Sequence, residues 1–481
     1  MQALSNVCSV STEINRLAPE DARILRLETS AIAGHTCKVA VVEPGPDGRI
    51  DFDQLSAHVE SRLDRAPRCR QRVAFTPLGL GAPAWVDDED FDIADHVVRA
   101  EAGGAARPIG EDRFRRHAAE LMGTRLDHTR PLWRPDVFEL SERRTGLVMR
   151  IHHAMADGIS ALRIGEDLLW DPDPGVSAPY PGEWSPGPRP SGLRLAADGV
   201  AERTVDAGRA VADAIGSLAR PRRLLGSLRE VAREPGALIR ELSPLGSSSA
   251  LDRHIGSGRE LAFADAALAD LKRIEHAVGD RIGRHVTVND VTMAAVAGGL
   301  RHWLSGRGET GAEMRAQIPV SMHGRSESSD QLSNLDSFIY VDLPLDEDDP
   351  VRRLERINAE TVDRKRHHDA DSLYRFFHGL SHVSPLYREA MRLAAGPREF
   401  SLSISNVPGP RETVYVLGGE VSDLHSIAEP ADRHALRVSA VSLDGTMHIA
   451  LCTDPDALTG LERLAEGIEE SVDELLARAE A

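Results

Sequence analysis

The chain has 481 residues, 41% of them hydrophobic and 28% charged, with aromatics at only 4%. This balance builds aliphatic cores and excludes wholesale disorder. The net charge of -19 denies the chain the basic footprint that sequence-independent nucleic-acid binding requires.

The length exceeds one ordinary core, so at least two domains are expected. The first domain is placed at residues 1–175. Within it, His35 to Glu43 reads as a strand, and Phe52 to Arg62 and Arg113 to Met122 have helical spacing. Thr145 to His152 is an apolar run that predicts a buried strand, followed by a helix over Ile159 to Trp170. Residues 176–250 form a linker. It takes in most of a stretch crowded with proline and glycine, Asp171 to Ser191, and continues into an amphipathic helical segment. There an apolar stripe falls at Leu193, Ala197, Val200, Thr204, Ala207, Val211, Ile215 and Leu218. Six arginines against two glutamates follow between Arg220 and Arg240, a basic island in an acidic protein. Residues 251–481 form a second α/β domain. Its expected helices are Asp265 to His276, Asn289 to Leu304 and Asp456 to Ala479. Its expected strands are Met314 to Ser321, Ser337 to Leu345 and Glu399 to Ser405, with a hairpin turning at Asp444-Gly445.

Cys8, Cys37, Cys69 and Cys452 show no C-x-x-C spacing. They fit a reducing cytoplasm rather than a disulfide framework or a zinc motif. Met1 to Thr12 lacks a basic and then apolar leader, and no run of 18 apolar residues occurs. A cytoplasmic location is expected, with any contact with an inner membrane or lipid droplet peripheral.

The chemistry concentrates in Arg150-Ile151-His152-His153-Ala154-Met155-Ala156-Asp157-Gly158, of the form H-H-x-x-x-D-G at a strand end. An imidazole titrates near neutral pH, which suits His153 to take a proton from a hydroxyl or amine. His152, its neighbour on a strand, points the other way and is read as structural. Asp157 either orients His153 directly or braces the loop through an arginine, the second being favoured, with no sequence feature naming that arginine. Gly158 is expected to adopt a backbone conformation disfavoured for L-residues. No G-x-S-x-G, H-E-x-x-H or Walker sequence is present, and no cysteine lies near the histidines. Direct transfer without a covalent acyl-enzyme, without metal and without cofactor is therefore expected.

Further landmarks accompany the motif: Leu17-Ala18-Pro19-Glu20-Asp21-Ala22, Pro83-Ala84-Trp85-Val86, Pro131-Leu132-Trp133, Asn289-Asp290 and Asn406-Val407-Pro408-Gly409-Pro410. In this order the chain resembles the bacterial wax ester synthase / acyl-CoA:diacylglycerol acyltransferases, relatives of chloramphenicol acetyltransferase and peptide-synthetase condensation domains. The resemblance implies two α/β sandwich domains of the chloramphenicol-acetyltransferase kind with the active site between them. It implies transfer of a long acyl chain from acyl-CoA, a substrate, to diacylglycerol or a fatty alcohol, with His153 as the base. The PLW and ND motifs are associated with activity, yet Trp133 also fits a core aromatic and Asn289 and Asp290 a helix cap. Asn406 is a weaker candidate. Arg134-Pro135, Ser333-Asn334 and Ser442-Leu443 depart from the family pattern and bear on substrate preference. Two other readings stay open: a condensation-type acyltransferase acting on another hydroxyl or an amine, and a lipid-storage surface protein without turnover.

Overall fold

A computed structural model describes residues 14–100, 108–175, 184–218, 249–309, 314–321, 336–366 and 400–481. The first half runs α1 (Pro19–Leu27), β1 (His35–Val42), α2 (Phe52–Glu60), β2 (Gln71–Ala74), β3 (Ala84–Asp87), β4 (Val98–Arg99), α3 (Glu111–Met122), β5 (Trp133–Glu139), β6 (Thr145–His152) and α4 (Gly158–Leu169). Helix α5 (Gly192–Leu218) follows the proline-rich stretch. The second half runs β7 (Glu260–Ala267), α6 (Leu268–Ile282), α7 (Val288–Ser305), β8 (Met314–Ser321), β9 (Asp336–Leu343), α8 (Pro350–Arg366), β10 (Leu402–Val407), β11 (Tyr415–Val416), β12 (Gly419–Ala428), β13 (Leu436–Leu443), β14 (Thr446–Thr453) and α9 (Leu461–Ala479).

Two six-stranded sheets carry the fold, in the orders β11-β12-β1-β6-β5-β4 and β7-β14-β13-β10-β8-β9. Both β1 and β6 are buried along all eight residues, as strands covered on both faces must be. One face of the first sheet shares a core with α1, α2 and α4, including Val42, Leu55, Trp133, Met149, Leu162 and Leu424. The other face, with Cys37, Val39, Val148 and Ile427, meets α3 and the β7/β14 edge of the second sheet through Phe114, Leu261, Ala450 and Cys452. Helices α6 to α9 contribute the core on the second sheet, among them Leu271, Val296, Leu354 and Ile468.

The sheets do not follow chain order. Strands β11 and β12 come from the second half, yet β12 pairs antiparallel with β1 over Thr36↔Ala428 to Val42↔Val421. A segment between β10 and β13 thus completes the first sheet and locks the halves together. The predicted hairpin is present, with Leu443 opposite Thr446 and Asp444 and Gly445 at φ 40° and 83°, the left-handed pair that a two-residue turn demands.

One local expectation is corrected, and one open reading is narrowed. Asp265, Ala266 and Ala267 belong to β7, and the helix begins only at Leu268. The β7 register against β14 supplies these residues with cross-strand partners, which outweighs their helical spacing. In α5 the predicted stripe is not the packed face. Leu193, Ala197, Val200 and Thr204 are exposed, whereas Leu195 and Gly199 are buried. The helix is docked by a glycine contact: a Cβ on Gly199 would lie 2.6 Å from the Leu80 carbonyl oxygen. The side chains of Ala207, Val211, Ile215 and Leu218, and the whole arginine-rich stretch 220–240, lie outside the described residues.

Candidate active site

Strand β6 delivers the histidine motif to the junction of the two halves. Its last residue, His152, donates its backbone N–H to the Leu132 carbonyl, 3.0 Å, and His153 donates its own to the Gly34 carbonyl, 2.9 Å. The motif is therefore gripped from β5's approach on one side and β1's approach on the other. The end of β10 faces it: a Cβ on Gly158 would stand 3.4 Å from Cγ2 of Val407.

The two histidines have separate environments. His152 is fully buried. Its Nδ1 accepts the Ala154 N–H at 3.0 Å, so Nε2 carries the proton and donates to Glu28 Oε1 at 2.8 Å. Burial holds its pKa below the usual value, with the Glu28 bond opposing. Glu28 also meets His128 at 2.8 Å. Burial opposes ionisation of Glu28, but the two imidazoles prevail and bring it down to about 2. Glu28, His128 and His152 are thus a positioning cluster behind the motif.

His153 is half-buried. Burial first, then the charges of Arg437, His152 and Lys38, lowers its pKa to about 3, opposed by a hydrogen bond to the Ala156 backbone. A ring N–H given to that carbonyl leaves the other ring nitrogen as a neutral lone pair. Lys38 comes from β1, opposite Met149 and Ser426. Its Nζ donates to Ser426 Oγ at 2.6 Å. Burial, partly offset by Cys37 and Asp157, brings its pKa down to about 8.

Asp157 is buried and caps α4, its Oδ1 accepting the Ser160 N–H at 2.7 Å. It starts the helix that follows the histidines, by a cap on the Ser160 N–H rather than a brace through an arginine. The expectation for Gly158 is corrected: its φ is not positive. It is simply the first residue of α4, whose helical geometry any residue adopts, and a Cβ there would make only ordinary contact with Val407. The glycine with the special conformation is Gly34, at φ 76°, where a Cβ would lie 2.7 Å from His152 Nε2.

The remaining predicted residues divide. Pro131, Leu132 and Trp133 are buried. The Trp133 indole donates to the Cys69 carbonyl at 2.8 Å and stacks on His96 at 4.7 Å, so the segment supports β6. Asp290 lies far from the histidines in role: it forms a capping box with Thr287 at the start of α7. It also accepts from Asn358 at 3.1 Å and Thr361 at 2.8 Å, both on α8. Asn289 is half-buried beside it. Asn406 is half-buried on β10, next to the Val407 that faces Gly158. In the following turn, a Cβ on Gly409 would fall 2.0 Å from the Ser442 carbonyl oxygen, so only glycine lets β10 leave its neighbour there.

Sequence reasoning missed a second support. Glu429, just past β12, accepts the N–H groups of Ala33 and Gly34 at 2.9 and 2.8 Å. It pairs with Arg259 at 2.8 Å, with side-chain exposures of 6% and 0%. The second half thereby clamps the loop whose Gly34 carbonyl holds His153. No spacing signals this, because the partners are 170 residues or more apart.

The comparisons agree with this geometry. Residues 17–292 match the family model for the wax ester synthase/diacylglycerol acyltransferase catalytic domain, and residues 332–476 match that for its C-terminal domain. A Mycobacterium tuberculosis protein (strain H37Rv), named as a candidate diacylglycerol O-acyltransferase, is 28% identical over 96% of this chain and 90% of its own. A probable diacylglycerol O-acyltransferase of the same strain is 28% identical over 91% of this chain and 90% of its own. The structure of the wax ester synthase/diacylglycerol acyltransferase of Marinobacter aquaeolei VT8 aligns with a TM-score of 0.68 at 21% identity, covering 97% of this chain and all of that one. The first condensation domain of the calcium-dependent antibiotic synthetase shares the fold, with a TM-score of 0.58 at 16% identity over 98% of this chain and 97% of that one. With the histidine motif held at the meeting of two such sheets and both family domains matched in order, this chain belongs to the wax ester synthase/diacylglycerol acyltransferase family.

Proposed function

We propose that the chain transfers a long acyl group from acyl-CoA to the free hydroxyl of diacylglycerol, giving triacylglycerol, and accepts a fatty alcohol in the same place. The observation that carries this reading is His153: a half-buried imidazole, neutral at physiological pH, with its backbone fixed by Gly34 and its ring by Ala156. In the proposed step the ring nitrogen turned away from Ala156 takes the hydroxyl proton as the oxygen attacks the thioester carbonyl. The tetrahedral intermediate then expels coenzyme A, whose sulfur receives that proton from the imidazolium. No acyl-enzyme, metal or cofactor enters this sequence. The positive charges of Lys38 and Arg437 make the imidazole less basic in the resting state, but the same field favours the negative oxygen formed during attack.

The acceptor is a lipid, so we place the working enzyme at a lipid surface, held peripherally. No helix among the described residues is long and apolar enough to cross a membrane. Leu78 is 93% exposed at φ 54°, and Leu193 is 85% exposed. Gly192, beside Leu193, sits against Pro77, beside Leu78, which brings the two leucines to one rim. Apolar side chains at such a rim suit insertion at a membrane interface.

The test offers labelled palmitoyl-CoA with diolein, hexadecanol and an amine in parallel. Ester with at least one alcohol, abolished by His153→Ala, is the expected result. Product with the amine alone favours a condensation-type enzyme, and activity retained without the imidazole refutes the assignment of the base.

A further inference from the structure

Away from the histidine motif, three strands bring a second set of ligating side chains together where the two sheets meet. His425 lies on β12, in the first sheet, in register with Val39. His448 on β14 and Asp265 on β7 lie directly opposite one another in the second sheet. The potential ligand atoms of all three fall within 4.8 Å of one another. His448 Nδ1 and Asp265 Oδ1 are 2.8 Å apart, and the two imidazole rings are 5.1 Å apart at 77°.

One feature of the cluster has no explanation within the protein. His425 is only 6% exposed, and its Nδ1 has no hydrogen-bond partner among the described residues. A buried polar atom without a partner is costly. A metal ion is a partner that a neutral imidazole accepts readily. Solvent reaches the cluster through Asp265, whose side chain is 51% exposed.

We propose that His425, His448 and Asp265 form a divalent transition-metal site of the zinc class that staples β12 of the first sheet to β7 and β14 of the second. Two imidazoles, one carboxylate and a water molecule make a normal zinc set. With metal–ligand bonds of about 2.0–2.2 Å, tetrahedral ligand atoms lie about 3.3 Å apart, so rotation of these side chains must close at most about 1.5 Å. The metal displaces the proton now shared between His448 Nδ1 and Asp265, which moves to the other ring nitrogen. Opposing charge is present: the Arg115 guanidinium lies 4.9 Å over the Phe263 ring, which packs on His425. Arg115 is itself paired with Glu111. Glu469 adds negative charge beside the site, accepting the Asp265 N–H at 2.9 Å. The role is structural and independent of the acyl-transfer chemistry, so its failure would leave that reading untouched.

The untagged, metal-stripped full chain titrated with zinc by calorimetry tests this, with cobalt absorption as a second readout. One zinc per chain is expected, with the dissociation constant rising at least ten-fold in each of Asp265→Asn and His448→Gln. Zinc should also raise the thermal midpoint of the wild-type chain but not of these variants. Asp265 is half-exposed, so Asp265→Asn does not threaten folding. His128→Ala serves as the control for the other cluster, Glu28, His128 and His152. Absence of stoichiometric zinc binding overturns the proposal. So does binding that survives both Asp265→Asn and His448→Gln, or that disappears in His128→Ala alone.

Discussion

Asp290→Ala separates a structural role for the ND motif from a catalytic one. The Asp290 side chain is 1% exposed and accepts from the Thr287 N–H and hydroxyl, both at 2.9 Å, and from Asn358 and Thr361. Loss of the reciprocal cap costs about 1 kcal/mol. Two further buried bonds contribute about 1 kcal/mol each, and donors left stranded add roughly another 1–2 kcal/mol. The total is about 4 kcal/mol, lost from the contact that fastens α7 to α8. With a urea slope of about 3 kcal/mol/M, the unfolding midpoint of the second half falls by about 1.3 M. Trp303 reports on it: it lies on α7, bonded to the Thr459 carbonyl at 3.1 Å, and the other four tryptophans precede residue 185. Turnover per folded chain, measured without denaturant, should stay within about two-fold. A midpoint that does not move, or turnover that collapses in a chain still fully folded, would refute the reasoning.

Gly34→Ala forces a Cβ to within 2.7 Å of His152 Nε2 at a φ of 76°. It should cost roughly 2 kcal/mol or more of stability and most of the activity; an active, equally stable variant would show that the loop does not hold the motif. Arg259→Met leaves Glu429 buried without its cation, costing about 3–5 kcal/mol, and should lower kcat more than it raises KM because the Gly34 anchor of His153 loosens. The pH profile of kcat/KM follows from the depressed His153 pKa. The base is fully available above the ordinary imidazole value and is lost only as pH falls towards about 3, so no acid limb should appear near pH 6.5. A limb there that His153 carries would show that the free enzyme's imidazole is not desolvated. Leu78→Asp with Leu193→Asp should abolish flotation with phospholipid vesicles while leaving turnover on dispersed short-chain substrates intact. Unchanged flotation would remove the rim from membrane contact.

The two halves differ in how far local pattern reached. Strand β6 and helix α4 were legible because an apolar run and a 3.6-residue period are local signals, and the hairpin at Asp444-Gly445 because its turn chemistry is local too. The described part of the stripe on α5 is uncovered: amphipathic spacing says that a face is apolar, not that something covers it. A glycine contact at Gly199 turned another face inward. A core aromatic at Trp133 and a cap at Asp290 were readable locally, but no spacing discloses their distant partners, Cys69, Asn358 and Thr361.

What the sequence determined by itself is the chemistry available: an imidazole at a strand end, an aspartate four residues later, and the order of landmarks that marks the family. Those are contributions of single residues and short windows. Only the tertiary structure decided what the imidazole can do. The clamp of Glu429 and Arg259 on Gly34, the Glu28 cluster behind His152, the charges of Lys38 and Arg437, and the insertion of β12 into the first sheet all join residues far apart in the chain. Burial and electrostatic fields depend on three-dimensional neighbours, and these keep the His153 imidazole neutral at the meeting of the two sheets.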